Sequence, residues 1–468
     1  MFTEDFYRYS VLPTHNVTYA RVRWYQHKKL SLLVVILISP VVLFFILYGI
    51  LFGFHRNIVY PKTATKVFPE NFYRASIYTR SALTNKSLEN IPQFRDHRKL
   101  PVKKFKLVCY YALPTNDQEV LKVEDLDPHL CTHINAAFGK VVNKTLHMTE
   151  PFATSLKKLV KLKEINKDMK VLISVGGAGN QDNGFPEMVL NHSNRKIFIK
   201  SVNNAIKTYK LDGIDLDWEF PNLDTPDKFQ RMHFTQLLEE FRKSITKQST
   251  PYLLTVAVAA PMTLISQCYD VSYMNDYVDF INVMSYDYHF YSKWTPFTGF
   301  NSPLYASDDE VFFFGTMNVN YSANYWNQLG MDRAKIIVGL PTYGHTFKLA
   351  NVKNNGLYAP ALGYGRLGSL GFVDYFDICK FLSTNQISPV FDMEVKSPYA
   401  SKFYEWVSFE NTQSLTYKAE YIRDQQFGGA MVWSLNSDDY KLSCQMEGRE
   451  EGKFPLIKSI KSALFSPR

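Results

Sequence analysis

The chain has 468 residues, 46% of them hydrophobic, and a formal net charge of +9. This length is enough for one large domain with additional segments. A basic excess can indicate nucleic-acid binding, but the sequence has neither the spacing of a zinc site nor a basic helix suited to reading bases. Much of the excess lies between Arg56 and Lys106. We therefore expect no nucleic-acid partner and interpret this charge as that of a solvated stem near a membrane.

The first predicted element is an apolar segment at residues 30–54, which contains no charged residue. A helix of about 20 such residues spans a bilayer. The alternative is a cleaved signal peptide, whose apolar region has about 7–15 residues. This segment is longer, and a largely polar tail, residues 1–29, precedes it. We therefore expect an uncleaved signal anchor that contacts the lipid bilayer.

The orientation of this anchor follows from weak signals that agree with one another. Lysine and arginine are only slightly more frequent before the anchor than after it, which favours a cytoplasmic N-terminus. Sequons for N-glycosylation follow the anchor at Asn85, Asn143, Asn191 and Asn320. The five cysteines fit an oxidising compartment. We predict a single-pass type II membrane protein, with a stem at 55–104 and an extracellular or lumenal domain at 105–466.

From Phe105 onward, short apolar runs alternate with amphipathic segments. The runs predict eight strands: Leu107–Tyr111, His133–Phe138, Val171–Val175, Gly213–Phe220, Leu253–Ala259, Phe280–Tyr286, Ile336–Leu340 and Ala430–Trp433. Helices are predicted between them, for example at Asn194–Tyr209, Asp227–Thr246 and Ser322–Leu329. Eight strand–helix units in one domain predict an α/β fold, the (β/α)8 TIM barrel.

The fourth of these strands carries three acids with a spacing of two residues, Asp215, Asp217 and Glu219. In an extended strand these side chains share one face, and the opposite face is apolar. Acids crowded on a buried strand resist ionisation, so at least one should stay protonated near neutral pH. Such an acid at a strand end can act as a general acid. The alternative is an edge strand whose acids face water.

Four motifs resemble those of one family. Asp212-x-x-Asp215-x-Asp217-x-Glu219 matches the D-x-x-D-x-D-x-E pattern of glycoside hydrolase family 18, the chitinases and chitinase-like proteins. Ser174–Gly177, Met284–Asp287 and Gly428–Trp433 resemble the family's S-x-G-G, M-x-Y-D and final-strand motifs, in family order. The resemblance extends over about Lys103–Phe465. It implies a small α+β insertion domain at about 347–417, between strands 7 and 8.

The resemblance implies catalytic roles for four residues. Glu219 would act as general acid and then as general base. Asp217 would hydrogen-bond Glu219 and orient the N-acetyl group of the substrate, while Asp215 tunes Asp217. Tyr286 would donate a hydrogen bond to the acetamido carbonyl. In this family the substrate's own acetamido oxygen attacks the anomeric carbon, so no metal or cofactor is implied.

The resemblance also implies residues that bind the sugar. They are Trp433 as the stacking floor, with Asp287, Met284, Tyr111, Phe138 and Tyr343 around it. His345 is a further polar residue at the cleft. Ordinary packing is the alternative for the aromatic residues and remains open for Tyr111 and Phe138.

Two disulfides follow from the resemblance as well, Cys109–Cys131 and Cys379–Cys444. Cys268 would then be left unpaired. Free buried thiols are the alternative for each of these cysteines.

Two departures from the family pattern affect the expected substrate. Ala178 stands where chitinases commonly have a tryptophan, and the loop Ala112–Glu124 lacks another. Fewer stacking surfaces weaken the grip on a long chain. We therefore expect a membrane-anchored retaining glycosidase that cuts β-1,4 linkages next to N-acetylglucosamine, with short chito-oligosaccharides or N-glycan cores favoured over crystalline chitin. The alternatives are a catalytically weak or inactive carbohydrate-binding protein and an interaction protein that uses the barrel as a scaffold.

Overall fold

The structure, a computed structural model, describes residues 105–114, 121–178, 184–221, 229–444 and 452–466. The predicted tail, signal anchor and stem lie outside these residues, as does the sequon at Asn85. Within the described ranges, no helix is both long and apolar enough to cross a membrane.

The core of the fold is a closed barrel of eight parallel strands. These are β1 (Lys106–Ala112), β2 (His133–Val142), β4 (Lys170–Gly176), β5 (Gly213–Asp217), β6 (Leu253–Ala259), β7 (Phe280–Met284), β8 (Ile336–Pro341) and β15 (Gly429–Trp433). Each strand pairs with the next, and β1 closes the ring by pairing with both β2 and β15. A short strand, β3 (Thr145–His147), extends β2 as a hairpin. The barrel predicted from the sequence is confirmed.

Helices alternate with the barrel strands. They are α1 (Glu150–Lys161), α2 (Phe185–Val189), α3 (His192–Tyr209), α4 (Gln230–Ile245), α5 (Met262–Cys268), α6 (Val271–Tyr277), α7 (Val319–Gln328), α8 (Tyr375–Thr384), α9 (Thr412–Asp424) and α10 (Pro455–Phe465). Polar side chains fix the beginnings of four of them: Thr149, Asn191, Asn318 and Asn411 each accept a hydrogen bond from a backbone N–H in the first turn.

Alternate side chains of strand β5 face the surrounding helices and the interior of the barrel. Ile214 and Leu216 are completely buried on the helix-facing side. Trp218, just beyond the strand, stacks on Phe185 at 5.2 Å and meets Phe234 edge-on at 5.6 Å. This apolar layer fixes the strand's orientation, so the acids of β5 must point into the barrel. The edge-strand alternative is therefore wrong.

The segment between β8 and β15 contains a second, six-stranded sheet. Its strands are β9 (Tyr343–Leu349), β10 (Ala361–Tyr364), β11 (Phe372–Asp374), β12 (Val390–Asp392), β13 (Ser397–Lys402) and β14 (Glu405–Ser408). Their order is β10-β9-β14-β13-β12, and β11 pairs with β9. Helix α8 belongs to the same segment. The sheet begins at Tyr343, directly after β8, whereas the predicted insertion begins at about residue 347.

Both predicted disulfides are present, Cys109–Cys131 and Cys379–Cys444. The first ties β1 to the segment before β2, and the second ties α8 to the segment after β15. Cys268 is a buried free thiol, as expected.

Candidate active site

The deepest acid of the site is Asp215, which is completely buried inside the barrel. Its carboxylate accepts hydrogen bonds from the hydroxyls of Tyr110 (2.7 Å), Ser174 (2.7 Å) and Thr255 (2.6 Å), and from Asn282 Nδ2 (3.1 Å). Burial raises the pKa of Asp215, and the four hydrogen bonds oppose that rise. All four partners can donate to a carboxylate, so these hydrogen bonds favour the ionised form of Asp215 while burial disfavours it.

Asp217 lies one step nearer the mouth of the barrel and is also buried. Its Oδ1 is buried without a hydrogen-bond partner. Burial raises the pKa of Asp217 well above its usual range, and the negative charges of Glu219 and Asp215 add to the rise. Although both side chains are described, no hydrogen bond joins Asp217 to Glu219, so that expected contact is not formed in this geometry.

Glu219 follows β5 and is only partly buried, which places it at the mouth of the barrel. Burial raises the pKa of its carboxyl to about 8, and the nearby charge of Asp287 adds to this rise. Near neutral pH Glu219 is therefore mostly protonated, as a proton donor must be. The peptide bond that follows Glu219 is cis.

The motif Ser174–Gly177 at the end of β4 supports these acids. A side chain on Gly176 would lie 2.1 Å from the carbonyl oxygen of Asp217, and one on Gly177 would lie 2.6 Å from the ring of Phe138. Both glycines also have positive φ angles, +115° and +82°, which side chains disfavour. This motif therefore lets β5 and Phe138 approach the site closely.

Tyr286 and Asp287, just after β7, lie beside the acids. The hydroxyl of Tyr286 has one described partner, the sulfur of Met431 at 3.9 Å, which is a weak acceptor. Burial raises the pKa of Tyr286 well above its usual range, helped by the charges of Asp217, Asp287 and Glu219. The hydroxyl of Tyr286 therefore stays protonated and can donate a hydrogen bond to a ligand.

Asp287 is held by the insertion sheet. Its Oδ1 accepts hydrogen bonds from the Tyr343 hydroxyl (2.6 Å) and from His345 Nε2 (2.7 Å), and its N–H donates to Asn301 Oδ1 (2.8 Å). Its φ of 58° lies in the left-handed region, which costs a non-glycine residue energy and occurs often at functional sites. The carboxylate is about half exposed, at 48%, so it can also reach a ligand.

Trp433 ends β15 and forms an aromatic floor. Its ring stacks on Phe138 at 5.5 Å with an interplanar angle of 24°, and Tyr110 meets it edge-on at 5.5 Å. Met284 is half-buried and packs against the same barrel-interior cluster. These aromatic faces suit stacking on a sugar ring.

One predicted binding residue lies elsewhere. Tyr111 is completely buried between the barrel and its helices, and its hydroxyl donates to the carbonyl of Leu121 (2.7 Å). The expectation that Tyr111 lines the cleft is wrong, and core packing describes it. Tyr110 takes the inward position instead, because alternate residues of β1 face opposite sides.

The structure therefore brings together Asp215, Asp217, Glu219, Tyr286, Asp287, Tyr343, Phe138 and Trp433. The sequence reasoning missed Tyr110, Thr255, Asn282 and Met431. A signal for Tyr110 was available: Cys109 must face outward to reach Cys131, so Tyr111 shares its outward face. No comparable signal marks Thr255 or Asn282, which lie on ordinary-looking strands.

Among the described residues, no group of three or more histidine, cysteine, aspartate or glutamate side chains is arranged to hold a metal ion.

The sequence model of the protein family "Glycosyl hydrolases family 18" matches residues 106–438 of this chain. Mouse chitotriosidase-1 is 35% identical over 77% of this chain and 78% of its own length. The Ostrinia furnacalis Group IV chitinase, solved in complex with allosamidin, is 33% identical over 77% of this chain and 99% of that one, with a TM-score of 0.71.

Human YKL-39, described as a pseudo-chitinase with retained chitooligosaccharide binding, is similar to the same extent. It is 32% identical over 78% of this chain and 100% of that one, with a TM-score of 0.72. Active and inactive relatives therefore share this fold, and activity has to be argued from the site. The family model covers well over half of the chain, and the chain belongs to glycoside hydrolase family 18.

Proposed function

We propose that this chain is a glycosidase that hydrolyses β-1,4 linkages next to N-acetylglucosamine in chito-oligosaccharides, by substrate-assisted catalysis. The observation that carries the proposal is the position of Glu219 at the barrel mouth, next to the buried Asp217 and Asp215. Burial raises the pKa of Glu219 to about 8. The carboxyl groups of Asp217 and Asp215 lie below it on β5, so the three acids form a row that runs from the barrel mouth into its interior. A general acid with a pKa close to the working pH is well matched to protonating a leaving group.

In the first step, Glu219 donates its proton to the glycosidic oxygen as the bond to the anomeric carbon breaks. The acetamido oxygen of the same sugar forms the new bond to that carbon, which gives an oxazolinium ion. In the second step, Glu219, now a carboxylate, takes a proton from water, and the water oxygen opens the oxazolinium ring. Two inversions at the anomeric carbon give net retention.

Two groups are suited to hold the acetamido group during this reaction. The unpartnered Oδ1 of Asp217 can accept a hydrogen bond from the acetamido N–H. This bond would remove the energetic penalty of a buried acceptor that has no hydrogen bond. The Tyr286 hydroxyl, with only a weak sulfur partner, can donate to the acetamido carbonyl oxygen. Because Asp215 is already held by four donors, it is fixed in position below Asp217, where its carboxylate would favour the positive oxazolinium ion.

The cleft walls suit a sugar of this class. Trp433 and Phe138 offer aromatic faces, and Asp287 offers a half-exposed carboxylate for hydroxyl groups. Ala178 provides no aromatic face where chitinases commonly have tryptophan. We therefore propose short chito-oligosaccharides or N-glycan cores as substrates, rather than crystalline chitin.

A second candidate function is sugar binding without turnover. Ala178 favours it, because losing a stacking surface reduces the contacts available to align a substrate. The presence of Glu219 argues against it. Affinity for the same sugars that survives Glu219→Gln, with no turnover by either form, would support this candidate.

The test is hydrolysis of chitotetraose and of a fluorogenic chitobioside by residues 103–468, with Glu219→Gln as the matched control. Turnover that is lost in the control supports the glycosidase. If the folded domain binds the sugars but turns neither over, the binding function replaces it. If it neither binds nor cleaves them, both proposals fail.

We further propose that residues 30–54 anchor the protein in a membrane with residues 105–466 on the extracellular or lumenal side. Asn143 and Asn191 are exposed, whereas Asn320 is half-buried. Glycosylation is therefore expected first at Asn143 and Asn191. Resistance to alkaline extraction, together with an endoglycosidase-sensitive mass shift that becomes smaller in Asn143→Gln/Asn191→Gln, would support this topology. Release into the soluble fraction would contradict it.

A further inference from the structure

A second cavity, of about 300 Å³, is lined by none of the residues of the barrel cleft. It lies between the loop that follows β7 and the segment before β10. Three aromatic residues and two acids line it: Phe297, Phe314, Tyr358, Asp309 and Glu310. We call this cavity the acidic aromatic pocket.

The pocket is held together by its own contacts. The Tyr358 hydroxyl donates to Glu310 Oε1 (2.5 Å), and the N–H of Ser307 donates to Glu310 Oε2 (2.9 Å). The ring of Phe297 lies 5.9 Å from that of Tyr358 and 6.3 Å from that of Phe314. The cavity is therefore formed in advance, which lowers the cost of binding.

The acids around the pocket form no ion pair within the part of the chain that the structure describes. Asp308 and Asp309 are exposed, and Glu394 lies against the same loop, where it accepts hydrogen bonds from Ser307 and from the N–H of Asp308. Aromatic faces also attract cations. Both features favour a positively charged occupant.

The loop beside the pocket exposes apolar side chains. Phe312 is 93% exposed, and Val311 and Phe313 are 59% and 46% exposed. Phe312 also has a φ of 52°, a conformation that is strained for a bulky side chain. Strain of this kind clusters at ligand clamps, and an apolar patch marks a contact surface. A lone small cation would not use this patch, whereas a polypeptide would.

We propose that the acidic aromatic pocket binds an arginine or lysine side chain of a basic polypeptide partner, with an apolar neighbour of that side chain packed on Phe312. This surface is distinct from the proposed sugar cleft and does not depend on glycosidase activity.

The test uses the full chain and acetyl-Leu-Arg-Leu-amide, with binding followed by saturation-transfer NMR. The same peptide with neutral citrulline in place of arginine should bind at least about five-fold more weakly. Asp309→Asn/Glu310→Gln should weaken the arginine peptide by about five-fold, because it removes charge while keeping shape. The control Glu164→Gln/Asp168→Asn makes the same change at exposed positions elsewhere and should have no effect.

Phe312→Ser separates the apolar contact from the charge. It should weaken acetyl-Leu-Arg-Leu-amide but leave acetyl-Gly-Arg-Gly-amide unchanged. Equal binding of arginine and citrulline peptides would overturn the proposal, and so would binding that Asp309→Asn/Glu310→Gln leaves intact, since the peptide would then lie elsewhere, including in the barrel cleft. Binding of neutral phosphatidylcholine vesicles through Phe312, without peptide binding, would also overturn it, in favour of a lipid surface.

Discussion

Glu219→Gln should make the folded domain more stable at neutral pH while abolishing turnover. The pKa of Glu219 rises from 4.5 to about 8 on folding, mainly because of burial. Between these two values the unfolded chain releases its proton and the folded chain keeps it. The resulting cost to stability is absent at pH 4, grows by about 1.4 kcal/mol per pH unit and reaches about 3 kcal/mol at pH 7. Glutamine is neutral at every pH and carries no such cost.

The assay is chemical unfolding of both forms at pH 4 and pH 7, with Glu164→Gln as a control at an exposed glutamate. Glu219→Gln should equal the wild type at pH 4 and exceed it by up to about 3 kcal/mol at pH 7, or by roughly 5 °C in thermal midpoint. A difference that does not change with pH, or a variant less stable at both values, would refute the reasoning about burial of this acid.

Three further predictions follow, two from contacts in the site and one from a buried ion pair, Lys418–Glu410. Asp287→Asn removes a charge that raises the pKa of Glu219, so the alkaline limb of kcat/KM should move to lower pH; an unmoved limb in a pH–rate profile would contradict this. Tyr286→Phe should lower kcat by about 100-fold with unchanged unfolding, and a near-normal kcat would remove Tyr286 from the mechanism. Lys418→Met should cost about 3–5 kcal/mol, because it leaves the buried Glu410 unpaired. Adding Glu410→Leu should restore most of that loss in denaturant unfolding, and no recovery would count against the ion pair.

The barrel could be predicted because its signal is repeated eight times. Each strand is a short apolar run, and Ile214 and Leu216 show why: the helix-facing side of β5 must be apolar. The ends of the strands were predicted less accurately than their presence. β5 stops at Asp217 and β7 at Met284, three and two residues earlier than predicted, because the chain leaves the sheet where its acidic and aromatic side chains turn toward the cleft.

The site could be predicted only in part. Three acids on one strand indicate their own proximity, since the spacing of two fixes their common face. The donors that hold Asp215 come from four other strands, and no local pattern in the sequence links Thr255 or Asn282 to it. Whether Tyr110 or Tyr111 lines the cleft depends on which face of β1 points outward. The resemblance to the family was assigned to Tyr111, whereas Tyr110 is the residue that faces the barrel interior.

The most direct test of the proposed chemistry is the anomeric form of the product released first. Proton NMR would follow fresh cleavage of chitotetraose by residues 103–468, beside the N-deacetylated tetramer as a matched substrate without the acetamido oxygen. Substrate-assisted catalysis predicts that the β-anomer appears first and that the deacetylated tetramer is not cleaved. Initial release of the α-anomer, or equal cleavage of the deacetylated tetramer, would contradict it.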